Sequence, residues 1–244
     1  MSSSKPEQAN TLLDREYSPD TPIPEVVSEL SLPEDLSAGR GNPVERAEAV
    51  LSEIVHRFGA ERIALAASWQ KETAVLVDLV QRVAPAARIF TLDTGVLFPH
   101  SYAVWREVEQ RYGFKVEAWK GEWVDGLWDA DPDRCCHLRK VVPLREALAQ
   151  ADCWLTGLRR DQSPERANTP EYAWDELHGL FKAVPLATWS ERDVWRYIFE
   201  RGLPYNKLHD EGYSSIGCTH CTRAGEGREG RWAGTAKTEC GMHA

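Results

Sequence analysis

The alternation of short apolar runs with helix-like periods from residue 44 onwards constrains the fold more than any other feature of the chain. Strands are predicted at residues 62–68, 87–94, 114–119, 152–158 and 178–186. Helices are predicted at residues 73–84 and 101–113, from the paired cysteines to about residue 150, and at 190–202, with Ser190 and Gly202 at its ends. Because parallel neighbours need crossover connections, this order predicts an α/β fold with a doubly wound, mainly parallel sheet.

Residues 1–43 differ in composition from the rest of the chain. They hold eight acidic residues, three basic residues and six of the 14 prolines. A stretch of this kind resists both helix and sheet, so we expect an extended or disordered acidic arm. The predicted organisation is this arm, an α/β domain at residues 44–222 and a tail at residues 223–244.

The composition also limits location and partners. The start of the chain lacks the basic and apolar regions of a signal peptide, and no run approaches the roughly 18 apolar residues of a membrane helix. We therefore expect a cytoplasmic protein without membrane contact. A net charge of −9 without a basic stripe argues against a nucleic-acid surface, although local basic residues can bind a small anion. The sequence leaves the oligomeric state open, a homo-oligomer included.

Three loops follow predicted strands where ligands bind in a doubly wound sheet, beyond the carboxyl ends of the strands. They are residues 68–73 (SWQKET), 92–99 (LDTGVLFP) and 156–163 (TGLRRDQS). The first leads into a helix whose free N–H groups attract an anion, and Arg159 and Arg160 in the third can bind phosphate or sulfate as forked donors. The alternatives are an ordinary helix-capping loop, a plain turn and solvated surface arginines.

Two pairs of cysteines indicate a shared metal site. Cys135 and Cys136 are adjacent, and Cys218 and Cys221 form a Cys-x-x-Cys motif 82 residues later. Four such thiolates in a reducing compartment fit structural zinc or an iron–sulfur cluster, with a redox pair as the alternative for the second motif. Adjacent ligands favour a [4Fe-4S] cluster, which spans more space than one ion. Cys153 lies in a predicted strand and is expected to be a buried apolar residue.

The tail carries a further cysteine, Cys240, in the sequence KTECGMHA. Chain ends commonly fray, so a structural cysteine would have little to pack against there. We therefore expect a reactive thiol on a mobile segment.

Seven separated motifs occur in the order found in the assimilatory adenylyl-sulfate and phosphoadenylyl-sulfate reductases, and residues 44–244 resemble that family. The motifs are SWQKET, LDTGVLFP, CCHLRKVVPL, TGLRRDQS, GCTHCTR, REGRW and KTECGMH. The resemblance implies an adenine nucleotide α-hydrolase-like fold of HUP type and an adenylyl-sulfate reductase with a [4Fe-4S] cluster. It also implies that a cysteine attacks the sulfur of adenosine 5′-phosphosulfate, AMP leaves, and thioredoxin or a similar dithiol protein releases sulfite from the S-sulfocysteine.

The same resemblance assigns roles to residues. Cys240 is the expected nucleophile, with His243 and Lys140 as further catalytic residues. The expected cluster ligands are Cys135, Cys136, Cys218 and Cys221. The residues expected to bind the substrate are Ser68, Trp69, Gln70, Lys71, Glu72, Thr73, Leu92, Asp93, Thr94, Gly95, Gly157, Arg159, Arg160, Arg228 and Arg231. Since a thiolate must approach an anionic group, Lys140, the arginines and a cationic His243 are expected to neutralise it.

Other activities stay open at this point. The chain could reduce the 3′-phosphorylated nucleotide, or both nucleotides. It could also be a non-catalytic nucleotide- and metal-binding protein of the same fold. An ATP-using sulfur transferase is disfavoured because the chain lacks an SGGxDS loop for pyrophosphate.

Overall fold

A six-stranded sheet forms the centre of the protein, seen in a computed structural model that describes residues 30–39 and 41–243. The strands are β1 (Ile63–Ala67), β2 (Arg88–Leu92), β3 (Glu117–Trp119), β4 (Cys153–Leu155), β5 (Tyr172–Asp175) and β6 (Leu180–Ala183). Their order across the sheet is β3-β2-β1-β4-β6-β5. All neighbours are parallel except β5, which pairs antiparallel with β6. The predicted α/β fold with a mainly parallel sheet is therefore confirmed.

Helices connect the strands as the sequence pattern predicted. They are α1 (Glu34–Ser37), α2 (Pro43–Phe58), α3 (Lys71–Val83), α4 (Pro99–Tyr112), α5 (Leu127–Ala130), α6 (Pro132–Cys136), α7 (Val142–Leu148) and α8 (Glu191–Arg201). A π-helical turn, His137–Val141, joins α6 to α7. No helix of the described segments is long and apolar enough to cross a bilayer.

Both faces of the sheet are buried at its central strands β1, β2 and β4, which explains their apolar runs. In β1, Ile63 packs into the larger core with Leu51 of α2, whereas the next residue, Ala64, packs on the opposite face with Leu144 of α7. Successive strand side chains point to opposite faces, so each residue of this strand meets a helix layer.

Local capping fixes the predicted end points of α8. The Ser190 side chain accepts a hydrogen bond from Asp193 N at 3.2 Å, and the Asp193 carboxylate accepts one from Ser190 N at 3.0 Å. This reciprocal pair satisfies two N–H groups that a helix start leaves free. Gly202 ends the helix with a φ of 56°, a left-handed conformation that glycine adopts without strain.

Strand β5 was not predicted from the sequence. It is a short edge strand, and its antiparallel pairing with β6 needs no crossover helix, so the strand–helix alternation gives no sign of it. Aromatic contacts hold it in place: Tyr172 stacks on Phe181 with ring centroids 5.0 Å apart, and Trp174 meets the same ring edge-on at 5.1 Å.

Most of the predicted acidic arm lies outside the described residues, namely residues 1–29 and 40. The described part departs from the expected extended conformation at Glu34–Ser37, which form the single turn α1. Pro33 precedes this turn, and Glu34 and Asp35 in its first positions complement the positive end of the helix dipole. Leu30 and Leu32 pack against the larger core, so this end of the arm contacts the domain.

Candidate active site

A pocket with an empty volume of about 1020 Å³ lies at the carboxyl ends of β1, β2 and β4. The sequence predicted a site at this edge. Nine of the predicted substrate-binding residues line the pocket: Ser68, Trp69, Gln70, Glu72, Leu92, Thr94, Gly157, Arg228 and Arg231. The three predicted catalytic residues, Lys140, Cys240 and His243, line it as well.

The first loop is held in place by its own side chains. Trp69 has a φ of 61°, is 2% exposed, donates its indole N–H to Thr91 Oγ1 at 2.8 Å, and stacks on Trp105. Gln70 Oε1 accepts the backbone N–H of Ile216 at 2.8 Å. A bulky residue at positive φ is strained and persists only where its surroundings enforce it. The loop is therefore a fixed wall of the pocket.

The N-terminus of α3, where the sequence predicts an anion site, is partly satisfied by contacts within the protein. Lys71 N donates to Nε2 of His209 at 3.2 Å, and the Lys71 ammonium donates to Ser214 O at 3.1 Å. Burial, with Lys71 nearby, lowers the pKa of His209 to about 4, so its ring is neutral and can accept. Lys71 and Thr73 do not line the pocket. The backbone of Lys71 is thus paired within the protein.

Arg159 and Arg160 do not line the pocket, and their role in binding the substrate anion stays a prediction. Arg159 is buried and donates Nε–H to Glu72 Oε1 at 3.0 Å, which fixes a carboxylate in the pocket wall. Burial opposes the charge, but Lys71 and Arg159 lower the pKa of Glu72. Arg160 is exposed and donates to Thr169 O at 2.9 Å.

In the second loop, as in the first, some residues line the pocket and others do not. Asp93 accepts hydrogen bonds from the Tyr102 hydroxyl at 2.6 Å and from Gly95 N at 3.0 Å, with Gly95 at a φ of 73°. Neither residue lines the pocket, and they form the plain turn that was the alternative prediction. Thr94 faces inward, with its Oγ1 3.3 Å from Cys218 Sγ.

Four basic side chains line the pocket: Lys140, Arg166, Arg228 and Arg231. Arg166 was not predicted from the sequence, because it lies beyond the TGLRRDQS motif in a short 3-10 turn, Pro164–Arg166, and only the fold brings it to Arg228. Burial, together with the nearby Arg166, lowers the pKa of Arg228 to about 10, which leaves it protonated at neutral pH. The positive charge therefore comes from three separate segments of the chain.

Arg231 is held by close packing. It lies over the Trp232 ring at 4.4 Å and donates to Ser215 Oγ at 3.3 Å. A Cβ atom at Gly217 would lie 2.6 Å from its Nη2, so only glycine allows this approach without a shift.

The tail lies in the pocket in this structure. Cys240 is 7% exposed and packs with Cys136, Cys218, Cys221 and Trp232. Its sulfur thus belongs to the same buried cluster as three of the predicted metal ligands.

The residues on either side of Cys240 also contact the pocket. The Glu239 carboxylate accepts from Arg166 Nη2 at 2.7 Å and pairs with Arg228 Nη2 at 2.9 Å. His243 stacks on Trp154 with ring centroids 5.1 Å apart. Burial, together with Arg166 and Lys182, lowers the pKa of His243 to about 3. Its ring is neutral in this position of the tail, and its catalytic role stays a prediction.

The four predicted metal ligands line one smaller cavity with an empty volume of about 290 Å³: Cys135, Cys136, Cys218 and Cys221. The π-helical turn buries Arg139 and Lys140 on the same side as the first cysteine pair and leaves His137 exposed. Lys140 lines both cavities. Burial works against its charge, but the sulfurs of Cys218 and Cys240 outweigh it and raise the pKa of Lys140.

Buried thiols and buried N–H donors lie around the smaller cavity. Within residues 30–39 and 41–243, no three His, Cys, Asp or Glu side chains are arranged to hold a metal ion. The thiols instead border a space. Arg139 lines this space, and Trp232 packs with Cys136, Cys218 and Cys221. Arg139 Nε and Trp232 Nε1 are buried N–H donors without a hydrogen-bond partner in the described part of the chain. Unpaired buried donors are costly and mark the place of a missing acceptor.

The chain is similar to known proteins of one family. Residues 62–224 match the model of the phosphoadenosine phosphosulfate reductase domain, a range that includes the four cysteines and Lys140 and ends before Cys240. The chain is 42% identical over 216 residues to the adenosine 5′-phosphosulfate reductase of Geobacillus kaustophilus, covering 83% of this chain and 92% of the relative. It is also 42% identical over 213 residues to the phosphoadenosine 5′-phosphosulfate reductase of Gloeobacter violaceus, covering 81% and 88%.

A solved structure is similar over most of its length. It is the crystal structure of phosphoadenylyl-sulfate reductase from Candida auris in a phosphate complex. The TM-score is 0.66 at 28% sequence identity, and the match covers 78% of this chain and 94% of that one.

Proposed function

The chain belongs to the phosphoadenosine phosphosulfate reductase domain family, and we propose that it is an assimilatory adenylyl-sulfate reductase, which converts adenosine 5′-phosphosulfate to AMP and sulfite. The observation that carries this proposal is the position of Cys240. Its thiol is buried in a nucleotide-sized pocket that four cationic side chains line. A nucleophile beside a site for an anionic group is the arrangement that transfer of a sulfonate to sulfur requires.

The proposed first step is attack of the Cys240 thiolate on the sulfate sulfur. A sulfur–sulfur bond forms, the bond between that sulfur and the phosphate oxygen breaks, and AMP leaves with the electron pair. The enzyme then carries S-sulfocysteine. The thiol proton leaves to solvent before the attack.

The proposed second step needs a dithiol protein such as thioredoxin. One of its thiolates attacks the Cys240 sulfur and expels sulfite, and its second thiolate resolves the mixed disulfide. Two electrons pass from the dithiol to sulfur, so no other reductant is required. Cys240 returns as a thiolate.

The basic residues act because both reactants are negative. Thiolate and phosphosulfate repel each other, and fixed cations reduce this repulsion without having to reorganise during the reaction. Lys140 lines the pocket near Cys240, and Arg228 and Arg231 line it from the chain that precedes the tail. We assign Lys140 to the reacting sulfur and the arginines to the phosphosulfate oxygens. The first and second loops would hold the nucleoside.

We further propose that Cys135, Cys136, Cys218 and Cys221 hold a [4Fe-4S] cluster. Four buried thiols around a space, two unpaired N–H donors and a raised Lys140 pKa fit such a group. When bound, it would polarise the site through Lys140, while the dithiol partner supplies the electrons. The four cysteines would hold the group, and Arg139 and Trp232 would donate to it, while Lys140 lines both cavities.

A second candidate substrate is the 3′-phosphorylated nucleotide. The relative named for that substrate is 42% identical to this chain, as is the relative named for adenosine 5′-phosphosulfate. The cysteine pairs favour the latter through the family resemblance. Comparing single turnovers with each nucleotide separates a selective enzyme from a dual one.

We place the reaction in the cytoplasm, where thiol pools keep Cys240 and a dithiol partner reduced. Six cysteines are free thiols in the structure, which supports a reducing setting. A homo-oligomer stays a prediction from the sequence, and no step of the proposed reaction depends on it.

The test is a single turnover without reductant. Incubation with adenosine 5′-phosphosulfate should release one AMP per site and add one sulfonate mass to the peptide that contains Cys240. Cys240→Ser should bind AMP as the parent protein does and gain no mass. An unmodified Cys240 peptide in the parent protein, with AMP still bound, would instead support a non-catalytic nucleotide-binding protein.

A further inference from the structure

We propose that Glu239 is a positioning residue that seats the tail for reaction, an inference that rests on the proposed function. Its carboxylate is held by Arg166 and Arg228, and this pairing places the neighbouring Cys240 at the anion site. The family model ends before this residue, and the sequence analysis assigned it no role.

The contact is built from partly buried charges. Arg166 Nη2 lies 2.7 Å from one carboxylate oxygen and Arg228 Nη2 lies 2.9 Å from the other, so Glu239 bridges two guanidinium groups. The arginine side chains are 12% and 18% exposed, whereas Glu239 is 37% exposed. Hydrogen bonds between ionised groups are shorter and stronger than neutral ones. The bridge therefore fixes the tail more firmly than a surface ion pair would.

The bridge also relieves repulsion inside the pocket. Arg166 acts on Arg228 to lower its pKa, which shows that the two positive groups are close. A carboxylate between them offsets that repulsion. With the tail withdrawn, the two arginines lose this carboxylate, and among the described residues the exposed Glu165 interacts with both of them. Closure of the tail is thus favoured by the charges that also attract the substrate.

Enough donors remain for a substrate anion while the tail is seated. Among the described residues, Arg228 uses only Nη2 in its hydrogen bonds, to Thr238 O at 3.2 Å and in the Glu239 pair. Its Nη1 and Nε stay available to an oxyanion. Glu239 and a phosphosulfate can therefore share this guanidinium.

Cys240 is fixed from both sides in this arrangement. Consecutive Cα atoms are about 3.8 Å apart, so a pinned Glu239 leaves the next residue little freedom. Three residues further on, the His243 ring lies on Trp154. Losing the first anchor should misplace the sulfur without removing a group that binds nucleotide.

Loss of the Glu239 charge should lower the sulfonation rate without weakening AMP binding. In Glu239→Gln, the charge is lost but the shape is kept, so the sulfonation rate should fall about tenfold because a nucleophile misplaced by a fraction of an ångström reacts slowly. The Kd for AMP should stay the same or decrease, since a negative charge beside the arginines has gone. A residue that binds the substrate would show the opposite pattern, with weaker AMP binding.

The experiment uses the full-length protein with its metal site loaded and two readouts. The first is alkylation of Cys240 by iodoacetamide without nucleotide, followed on its own peptide by mass spectrometry. Glu239→Gln should be alkylated about fivefold faster, because its tail is open for a larger fraction of time. Glu239→Asp, which keeps the charge on a shorter side chain, should recover part of the protection. Glu226→Gln removes the same charge from an exposed position and should behave as the parent protein.

The second readout is the single-turnover sulfonation rate together with AMP affinity. Equal alkylation of Cys240 in Glu239→Gln and in the parent protein would overturn the proposal, as would a loss of AMP affinity parallel to the loss of rate. Failure of the proposed function is distinct from both results. It would appear as absence of sulfonation in the parent protein, whereas the alkylation comparison needs no substrate and still decides the role of Glu239.

Discussion

Arg159 donates its Nε–H to Oε1 of Glu72 at 3.0 Å, and the two side chains are only 3% and 5% exposed. The neighbouring Arg160 is exposed and donates to a backbone carbonyl. Because the two arginines are adjacent in a loop after a strand, the sequence predicts that both bind the substrate anion. In the fold, Arg159 holds the Glu72 carboxylate in the pocket wall, whereas Arg160 lies at the surface.

Arg159→Leu should therefore destabilise the fold. It leaves the Glu72 carboxylate buried without its partner, and breaking a buried pair from one side costs about 3–5 kcal/mol. The measurement is the free energy of unfolding in urea.

The matched control is Arg160→Leu, which should change that free energy by less than about 0.5 kcal/mol. Replacing both members of the pair, as Arg159→Leu with Glu72→Leu, should recover part of the loss because no charge is left buried. Arg159→Leu with full stability and lost AMP binding would show that Arg159 contacts the ligand instead.

Lys140→Met should slow sulfonation of Cys240 much more than it weakens AMP binding. The ammonium lies between the two cavities and interacts with Cys240, so it acts on the attacking sulfur. Removing one such electrostatic contact costs about a hundredfold in rate. Single-turnover mass spectrometry gives the rate, and calorimetry gives the Kd for AMP.

The control for this variant is Lys115→Met, a substitution of the same type at a side chain that is 86% exposed. It should leave both quantities unchanged. Iron content should be measured for both proteins, so that a slow Lys140→Met protein with full iron can be assigned to the lost charge. Equal losses of rate and AMP affinity would argue against a role at the sulfur.

Much of the fold could be predicted because its signals are local. The apolar run at β1, the Ser190 cap and the Gly202 stop are each encoded within a few residues of the element they determine. Strand β5 was missed because its stability depends on aromatic contacts with Phe181 across the hairpin. Such packing has no signature in the alternation of strands and helices.

The site could be predicted only where motifs coincide with strand ends. Ser68 follows β1 directly, Thr94 lies two residues after the end of β2, and both line the pocket. Arg166 and Glu239 lie 73 residues apart, and only folding brings them within hydrogen-bonding distance. The state of His243 was also beyond sequence reasoning, because its neutral ring results from burial rather than from residue type.

Cys221→Ser should reduce the iron and acid-labile sulfide content of anaerobically purified protein. It should also reduce the absorption at about 400 nm. The reason is that Cys221 is one of the four buried thiols around the smaller cavity. Cys153→Ser is the control, since Cys153 is a buried residue of β4 outside that cavity. One zinc per chain and no iron in the parent protein would contradict the cluster.

His243 should act through the shape of its ring at neutral pH. The ring stacks on Trp154, and its buried Nδ1 has no hydrogen-bond partner in the described residues. His243→Phe should therefore keep most of the sulfonation rate at pH 7.5, whereas His243→Ala should lose it and expose Cys240 to alkylation. A Phe variant as slow as the Ala variant would show that a ring nitrogen takes part.

Lowering the pH should weaken docking of the tail through His243 in the parent protein, and His243→Phe should lack this effect. The free tail has an ordinary histidine pKa of about 6.5, whereas the docked ring has a pKa of about 3, with Arg166 and Lys182 adding to the effect of burial. The docked state binds fewer protons, so docking is fully favoured above about pH 6.5 and weakens as the pH falls. At pH 5.5 the docking equilibrium of the parent protein should be about tenfold weaker than at neutral pH, while that of His243→Phe should not respond to this group. The ratio of Cys240 alkylation rates, parent over His243→Phe, should therefore rise between pH 7.5 and 5.5, and a constant ratio would refute a neutral docked His243.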